Sequence, residues 1–188
     1  IVRKLPNEMI LIEAGDENSV LIKTSSSEFN VIGLSVEDFP QIKDNKEIIN
    51  RLTFSCETFK DMVRKTAFAA SVEEAKGILT GILTEITPGN VRMVALDGFR
   101  LALSNEPVEI GTEESFIITA RIMNEISKII SDDNDAEDME ILLSDKKAVF
   151  NIGNTEVSLR LMEGEFIRYR DIIPSDGSTT VIIGKSIL

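Results

Sequence analysis

The sequence predicts an α+β protein with antiparallel sheets and two helices on one side. Two observations carry that reading. The order strand–helix–strand–strand–strand occurs twice between residues 51 and 161, and each predicted helix bears one apolar stripe opposite a charged face. Composition agrees, since 43% hydrophobic and 28% charged residues over 188 positions give enough apolar material for a core. That length admits one domain or one and a half, at roughly 100–200 residues per domain.

Residues 9–13 and 20–23 read as strands joined by the polar turn Gly15-Asp16-Glu17-Asn18-Ser19. Residues 28–34 continue extended, with Phe29 and Val31 on one face, and Pro40 stops the run because it cannot join an interior ladder. Residues 43–47, Lys-Asp-Asn-Lys-Glu, lack apolar side chains and mark a linker.

Residues 51–55 then form a strand and residues 57–70 a helix, with Phe59, Met62, Val63 and Ala67 as its buried stripe and Lys60 and Arg64 opposite. Strands follow at residues 81–87, 91–96 and 100–103, turning at Pro88-Gly89-Asn90 and Asp97-Gly98. Asp-Gly between apolar runs is a strong short-range hairpin signal. The pattern restarts with a strand at 115–119 and a helix at 120–130, whose Ile122, Met123, Ile126, Ile129 and Ile130 oppose Arg121, Glu125 and Lys128. Three more strands lie near 140–143, 148–152 and 156–161.

A longer repeat sits above this one. Leu34-Ser35-Val36-Glu37-Asp38-Phe39 matches Leu161-Met162-Glu163-Gly164-Glu165-Phe166 at an offset of 127. Repetition at domain length divides the chain into the end of one domain with its linker (1–47), a complete copy (48–174) and the opening of a third (175–188). The β-branched run Thr179–Ile183 would be the first strand of that third unit, followed by the start of a helix.

Composition excludes several chemistries. With no histidine, neither a Ser-His-Asp nor a Cys-His nucleophile can be assembled, and no imidazole metal site exists. Cys56 is the one cysteine, which rules out an internal disulfide framework and a CxxC pair and suits a reducing cytoplasm. No apolar run reaches the roughly 18 residues that span a bilayer, and no signal-peptide core follows Arg3 and Lys4. The chain opens on Ile1 rather than Met, as expected for an internal piece of a longer chain.

The net charge is −12, from 20 basic and 32 acidic side chains. Six acids, Asp132, Asp133, Asp135, Glu137, Asp138 and Glu140, fall within nine residues and read as a solvated loop, since their spacing lacks the glycine turn and terminal Glu of a calcium loop. The bases Lys60, Arg64, Arg121 and Lys128 instead occupy two equivalent helix faces. If the helices lie side by side they make a positive strip suited to phosphates without reading sequence.

Gly184-Lys185-Ser186 resembles the end of a phosphate loop, but Thr179 stands where that loop needs a glycine, and Val181, Ile182 and Ile183 would fill it with bulk. A strand-to-helix junction fits better, and a nucleotide-dependent enzyme is the weakest of the readings. Glu163 and Glu165 share a face, yet nothing else converges on them, and Cys56 has no histidine to act as its base, so a small buried or capping residue fits it better. No catalytic site, metal or cofactor is expected.

Five segments together resemble the bacterial DNA polymerase III beta subunit, or sliding clamp, family. They are Thr24-Ser25-Ser26-Ser27-Glu28-Phe29-Asn30, Glu37-Asp38-Phe39-Pro40, Ile78-Leu79-Thr80-Gly81, Met93-Val94-Ala95-Leu96-Asp97-Gly98-Phe99-Arg100-Leu101-Ala102, and Leu161 to Phe166. They occur in the family's order, and the Ala-x-Asp-Gly-x-Arg-Leu-Ala string is specific. The likeness covers nearly the whole chain and about half of a family member.

The resemblance implies the DNA clamp fold and a non-catalytic processivity factor of the bacterial cytoplasm. Members form a head-to-tail ring homodimer around double-stranded DNA, helices lining the bore, which would turn Lys60, Arg64, Arg121 and Lys128 toward DNA; an acidic rim with a basic bore suits a ring held by topology. It also implies a groove for short linear motifs of the replicative polymerase, clamp loader and repair proteins, with matching positions Leu79, Leu96, Gly98, Phe99, Arg100, Leu101 and Pro174. The chain departs from the family in its 73–78 loop, which lacks aromatic residues and leaves Lys76 as the DNA contact there, and in Phe166-Ile167, where Phe-Pro is usual. A peptide-binding adaptor of the same fold that does not encircle DNA is the alternative.

Overall fold

A computed structural model describes residues 1–39, 50–130, 138–174, 177–184 and 186. The chain separates into two compact units, Ile1–Asp44 and Asn45–Leu188. The linker expected at 43–47 and the acids Asp132, Asp133, Asp135 and Glu137 lie outside the described residues.

In the first unit, β1 (Leu11–Ala14), β2 (Ser19–Lys23) and β3 (Glu28–Ile32) form an antiparallel meander in that order. The Gly15 N–H donates to the Ser19 carbonyl at 2.8 Å, while Glu17 and Asn18 adopt φ of 57° and 59° to close the turn. Between β2 and β3 the Thr24 N–H donates to the Ser27 carbonyl at 2.8 Å, and the Thr24 hydroxyl accepts from Ser27 N–H at 3.1 Å. Phe29 and Val31 share a face, yet each is 38% exposed.

The second unit holds β4 (Asn50–Ser55), α1 (Cys56–Thr66), β5 (Gly81–Thr87), β6 (Asn90–Leu96), β7 (Leu101–Pro107), β8 (Glu114–Thr119), α2 (Ala120–Ile129), β9 (Asp138–Leu143), β10 (Lys147–Ile152) and β11 (Thr155–Arg160). Its two four-stranded antiparallel sheets run β11-β10-β9-β4 and β7-β6-β5-β8. The leading strand of each repeat therefore pairs into the other repeat's sheet. Periodicity along the chain marks strands but carries no information on which ladder each one joins.

Both helices start the same way. Ser55 and Thr119 end their strands and cap the helices, each hydroxyl accepting a backbone N–H at 3.4 Å, from Thr58 and Ile122. Helix α1 stops at Thr66, four residues before the predicted end, and a 3₁₀ turn spans Ala67–Ala69. The Thr66 hydroxyl bonds back to the Met62 carbonyl at 2.7 Å, a local bond that competes with continued helix. In α2, Met123 and Ile126 are buried, as is Ile130 just past its end, but Ile129, expected in the stripe, is 38% exposed.

Strand β7 outruns its predicted end because Ser104–Pro107 go on pairing with Asn90–Met93. Pro107 is tolerated there because β7 is an edge strand. Residues 179–183, expected as a strand, form none and lie exposed. β-Branched residues favour extended backbone, but a strand needs a ladder partner, and this run has none among the described residues. The core joins both helices to both sheets, and Phe59 sits at its centre, edge-on to Phe54 and Phe150 with ring centroids 6.4 and 5.8 Å away.

Candidate functional site

The sheet β7-β6-β5-β8 is buried on both faces. Side chains alternate along a strand, so Ile82, Ile86, Met93 and Ile118 enter the main core while Leu83, Val94, Leu96 and Ile117 form a second apolar layer behind it. A strap, residues 161–173, irregular but for a 3₁₀ turn at Tyr169–Asp171, lies over that second layer. Its Met162 N–H donates to the Ile117 carbonyl at 2.9 Å, and Met162, Phe166 and Tyr169 pack into the layer. Gly81 makes room for it, since a Cβ there would sit 2.7 Å from the Met162 sulfur and 2.5 Å from Ile117 Cγ2.

Tyr169, only 2% exposed, anchors the strap. Its hydroxyl donates to Glu85 Oε2 at 2.6 Å and accepts from the Arg92 guanidinium at 3.3 Å. Arg170 reaches the same Glu85 oxygen at 2.8 Å. Burial, then the bond to the Glu85 carboxylate, hold the phenol above its ordinary value, against the opposing pull of Arg92. None of Tyr169, Glu85 and Arg92 was singled out from sequence. The one available signal was a lone tyrosine between two arginines, in Arg168-Tyr169-Arg170.

At its other end this layer meets the predicted groove residues. Leu96 is buried in it, and Leu79 and Leu101 pack half-buried against it. Leu96 and Leu101 are paired across β6 and β7 on either side of the Asp97–Arg100 turn. Asp97 Oδ1 accepts the backbone N–H of Phe99 at 2.9 Å and of Arg100 at 3.1 Å, and Oδ2 accepts Arg100 Nε at 3.0 Å. The two backbone bonds, then the Arg100 side chain, hold the Asp97 carboxyl below the usual carboxylate range. Gly98 takes φ 96°, a conformation that side chains resist. Phe99 is left 93% exposed at the tip, and the Arg100 guanidinium lies 5.9 Å from the centre of the Phe68 ring.

Two more of the expected site residues are Lys76 and Pro174. Lys76, which the resemblance directs to DNA, lies beside the Asp97–Arg100 turn: its Nζ is 5.5 Å from the Phe99 ring centre and donates to the Asp97 carbonyl at 3.4 Å. Gly77, directly after it, breaks the Glu74–Thr80 segment at φ 50°. Pro174 is exposed and outside the apolar layer, since the strap's last buried anchor is Tyr169. A cleft of about 570 Å³ opens beside the strap, lined by Leu83, Ser115, Ile117, Phe166 and Arg170 among others, and no predicted groove residue borders it.

The bases named for DNA lie on two helices that pack against each other. Arg64, Arg121 and Lys128 are exposed and Lys60 is half-buried. Acids on the same helices answer them: Asp61 pairs with Arg64 and with Lys65 at 2.5 Å, and Glu125 pairs with Lys128 at 2.8 Å. Lys65, then Arg64, lower the Asp61 carboxyl, and Lys128 lowers that of Glu125. Exposed pairs of this kind contribute about 0–1 kcal/mol each, so a phosphate can displace the acid. Among the described residues no cluster of three or more His, Cys, Asp or Glu could hold a metal ion, and no helix is long and apolar enough to cross a membrane.

The family model for the DNA polymerase III beta subunit, central domain, matches residues 53–167. The beta sliding clamp of Halalkalibacterium halodurans is 31% identical over 187 residues, covering 97% of this chain and 48% of the relative. That of Bacillus subtilis is 28% identical over 185 residues, with the same coverages. The crystal structure of the Bacillus subtilis sliding clamp superposes with a TM-score of 0.77 at 26% identity, over 93% of this chain and 46% of that one. The Thermotoga maritima beta subunit gives 0.76 at 26%, over 93% and 47%. The chain spans about half the length of the relatives it matches. An interlocked pair of four-stranded sheets, two packed helices and a family match across most of the second unit lead to one conclusion: the chain belongs to the DNA polymerase III beta subunit family.

Proposed function

We propose that this chain is the central part of a DNA sliding clamp, a non-catalytic processivity factor that encircles duplex DNA and tethers the replicative polymerase. On this reading residues 1–47 end a first clamp domain, 48–174 make the second and 175–188 open the third. Ring closure as a homodimer and service to clamp loader and repair proteins in the bacterial cytoplasm belong to the same proposal. The observation that carries it is the apolar floor of Leu79, Leu96 and Leu101 beside the Asp97–Arg100 turn, a shape suited to a short linear motif. Gly98 lets a ligand approach the backbone, and Arg100 offers a guanidinium to a carbonyl or carboxylate.

The test is fluorescence polarisation with a labelled peptide bearing the polymerase's clamp-binding motif. Saturable binding is expected, weakened at least tenfold by Leu101→Glu, which places a charge on an apolar floor, at about 1.4 kcal/mol per decade. Arg100→Ala is expected to weaken it less. Saturable binding that both variants leave intact would move the groove elsewhere.

The adaptor reading draws on the intrahelical acids, which leave the strip formed by Lys60, Arg64, Arg121 and Lys128 only weakly positive. DNA separates the two. A clamp surface predicts weak duplex binding whose salt slope falls by about one per base removed when these four are changed to Ala. An unaltered slope favours the adaptor.

A further inference from the structure

The apolar layer behind β7-β6-β5-β8 seats the strap and, on the groove reading, also forms the groove floor. Glu85, which clasps Tyr169, and Gly81, which receives Met162, lie four residues apart on β5, about 13 Å at about 3.3 Å per residue. Between them the layer is continuous through Leu83, Val94 and Ile117. We propose that Tyr169 is a positioning residue for the partner peptide: its hydroxyl, held between Glu85 and Arg92, fixes the strap whose Met162 and Phe166 pack on the layer that Leu79, Leu96 and Leu101 offer the ligand. This rests on the groove reading above and deepens it.

A phenylalanine would fill the same apolar space. The hydroxyl adds an address, because it needs an acceptor and a donor, and only one setting of the strap brings Tyr169 to half-buried Glu85 at 2.6 Å and Arg92 at 3.3 Å together. The other end of the strap is equally constrained. Met162 occupies the slot left by Gly81 and bonds to the Ile117 carbonyl, so the strap cannot slide without moving Ile117 and Ile78, which share the layer with Leu79. Close-packed interiors pass such displacements on rather than absorbing them. A groove floor held in one arrangement before the ligand arrives spares the complex the ordering cost.

Tyr169 is the one tyrosine and the chain has no tryptophan, so intrinsic emission reports this residue alone. The experiment titrates this chain with the labelled peptide by polarisation, and with an unlabelled Tyr- and Trp-free version by tyrosine emission. Tyr169→Phe is expected to raise Kd about 3–10-fold, the loss typical of one hydrogen bond at 1.4 kcal/mol per decade. Ile152→Val, a core change in the other sheet, is expected to leave Kd within about twofold. Emission is expected to change along the same saturation curve as polarisation.

Saturable binding that Arg100→Ala weakens, with Tyr169→Phe within about twofold of wild type or with unmoved emission, overturns the positioning role and leaves the groove standing. A flat polarisation curve for the unaltered chain defeats the groove itself and this inference with it.

Discussion

Phe59→Ala is expected to cost about 3–5 kcal/mol of stability, the range for emptying a fully buried aromatic site. The ring is 1% exposed and meets Phe54 of β4 and Phe150 of β10 edge-on, so it pins α1 to two strands of one sheet. Set against the about 5–15 kcal/mol that holds most domains folded, the loss brings the second unit near its unfolding point. Urea denaturation would read it as a large fall in midpoint at unchanged slope. Phe59→Leu leaves a smaller void and should recover most of the difference. A loss below about 1 kcal/mol for the alanine variant would mean that the ring does not hold the core together.

Gly81→Val should be the second most damaging change, and its damage should spread to the groove. Even the first added carbon meets Ile117 Cγ2 at 2.5 Å, Met162 Sδ at 2.7 Å and the Ile78 carbonyl at 3.2 Å. Ile117 is β-branched and stiff, so it cannot turn aside, and Met162 must leave its slot. Overpacking of this kind costs about 1–3 kcal/mol. The strap would lift at Met162, and peptide affinity should fall together with thermal stability. Adding Met162→Ala to Gly81→Val should restore part of the stability, since it relieves one of the two closest contacts. If the double variant were no more stable than Gly81→Val alone, the clash would rest on Ile117.

Much of the second unit was legible because its side chains face one way at a time. Strand β5 was read at its observed ends, and the stripe of Phe59, Met62 and Val63 is buried as the helical period requires. Ile129 broke the pattern, since it lies at the margin of the stripe where α2 turns to solvent. The run at 179–183 shows the limit of propensity, which favours extended backbone without supplying a neighbour to bond. At the site, the Asp97-Gly98 turn was visible because its chemistry is local, Asp97 capping its own hairpin and Gly98 supplying the positive φ. The strap was invisible because irregular backbone has no period, and its decisive contacts join Tyr169 to Glu85, far apart in the chain. The setting of Lys76 beside Phe99 was equally hidden, since it joins residues far apart in the chain and sits next to a positive φ at Gly77 that no pattern of residue types announces.

The exchanged leading strands govern how this domain can come into being. Leu52 must find Ile141, 89 positions away by 141 − 52, before the first sheet has its fourth strand. Ile118 must likewise return to Ile82 before the second sheet is complete. Chain entropy is spent on both closures before either sheet rewards it, so folding should be slow for the domain's size. Cutting the chain between β7 and β8 would yield two pieces, each with three strands of one sheet and an orphan belonging to the other. Neither piece would be a viable folding unit, and the two would recover the structure only by finding each other. The repeat visible in the sequence is thus a repeat of pattern and not of independent parts, and the domain melts as one body or not at all.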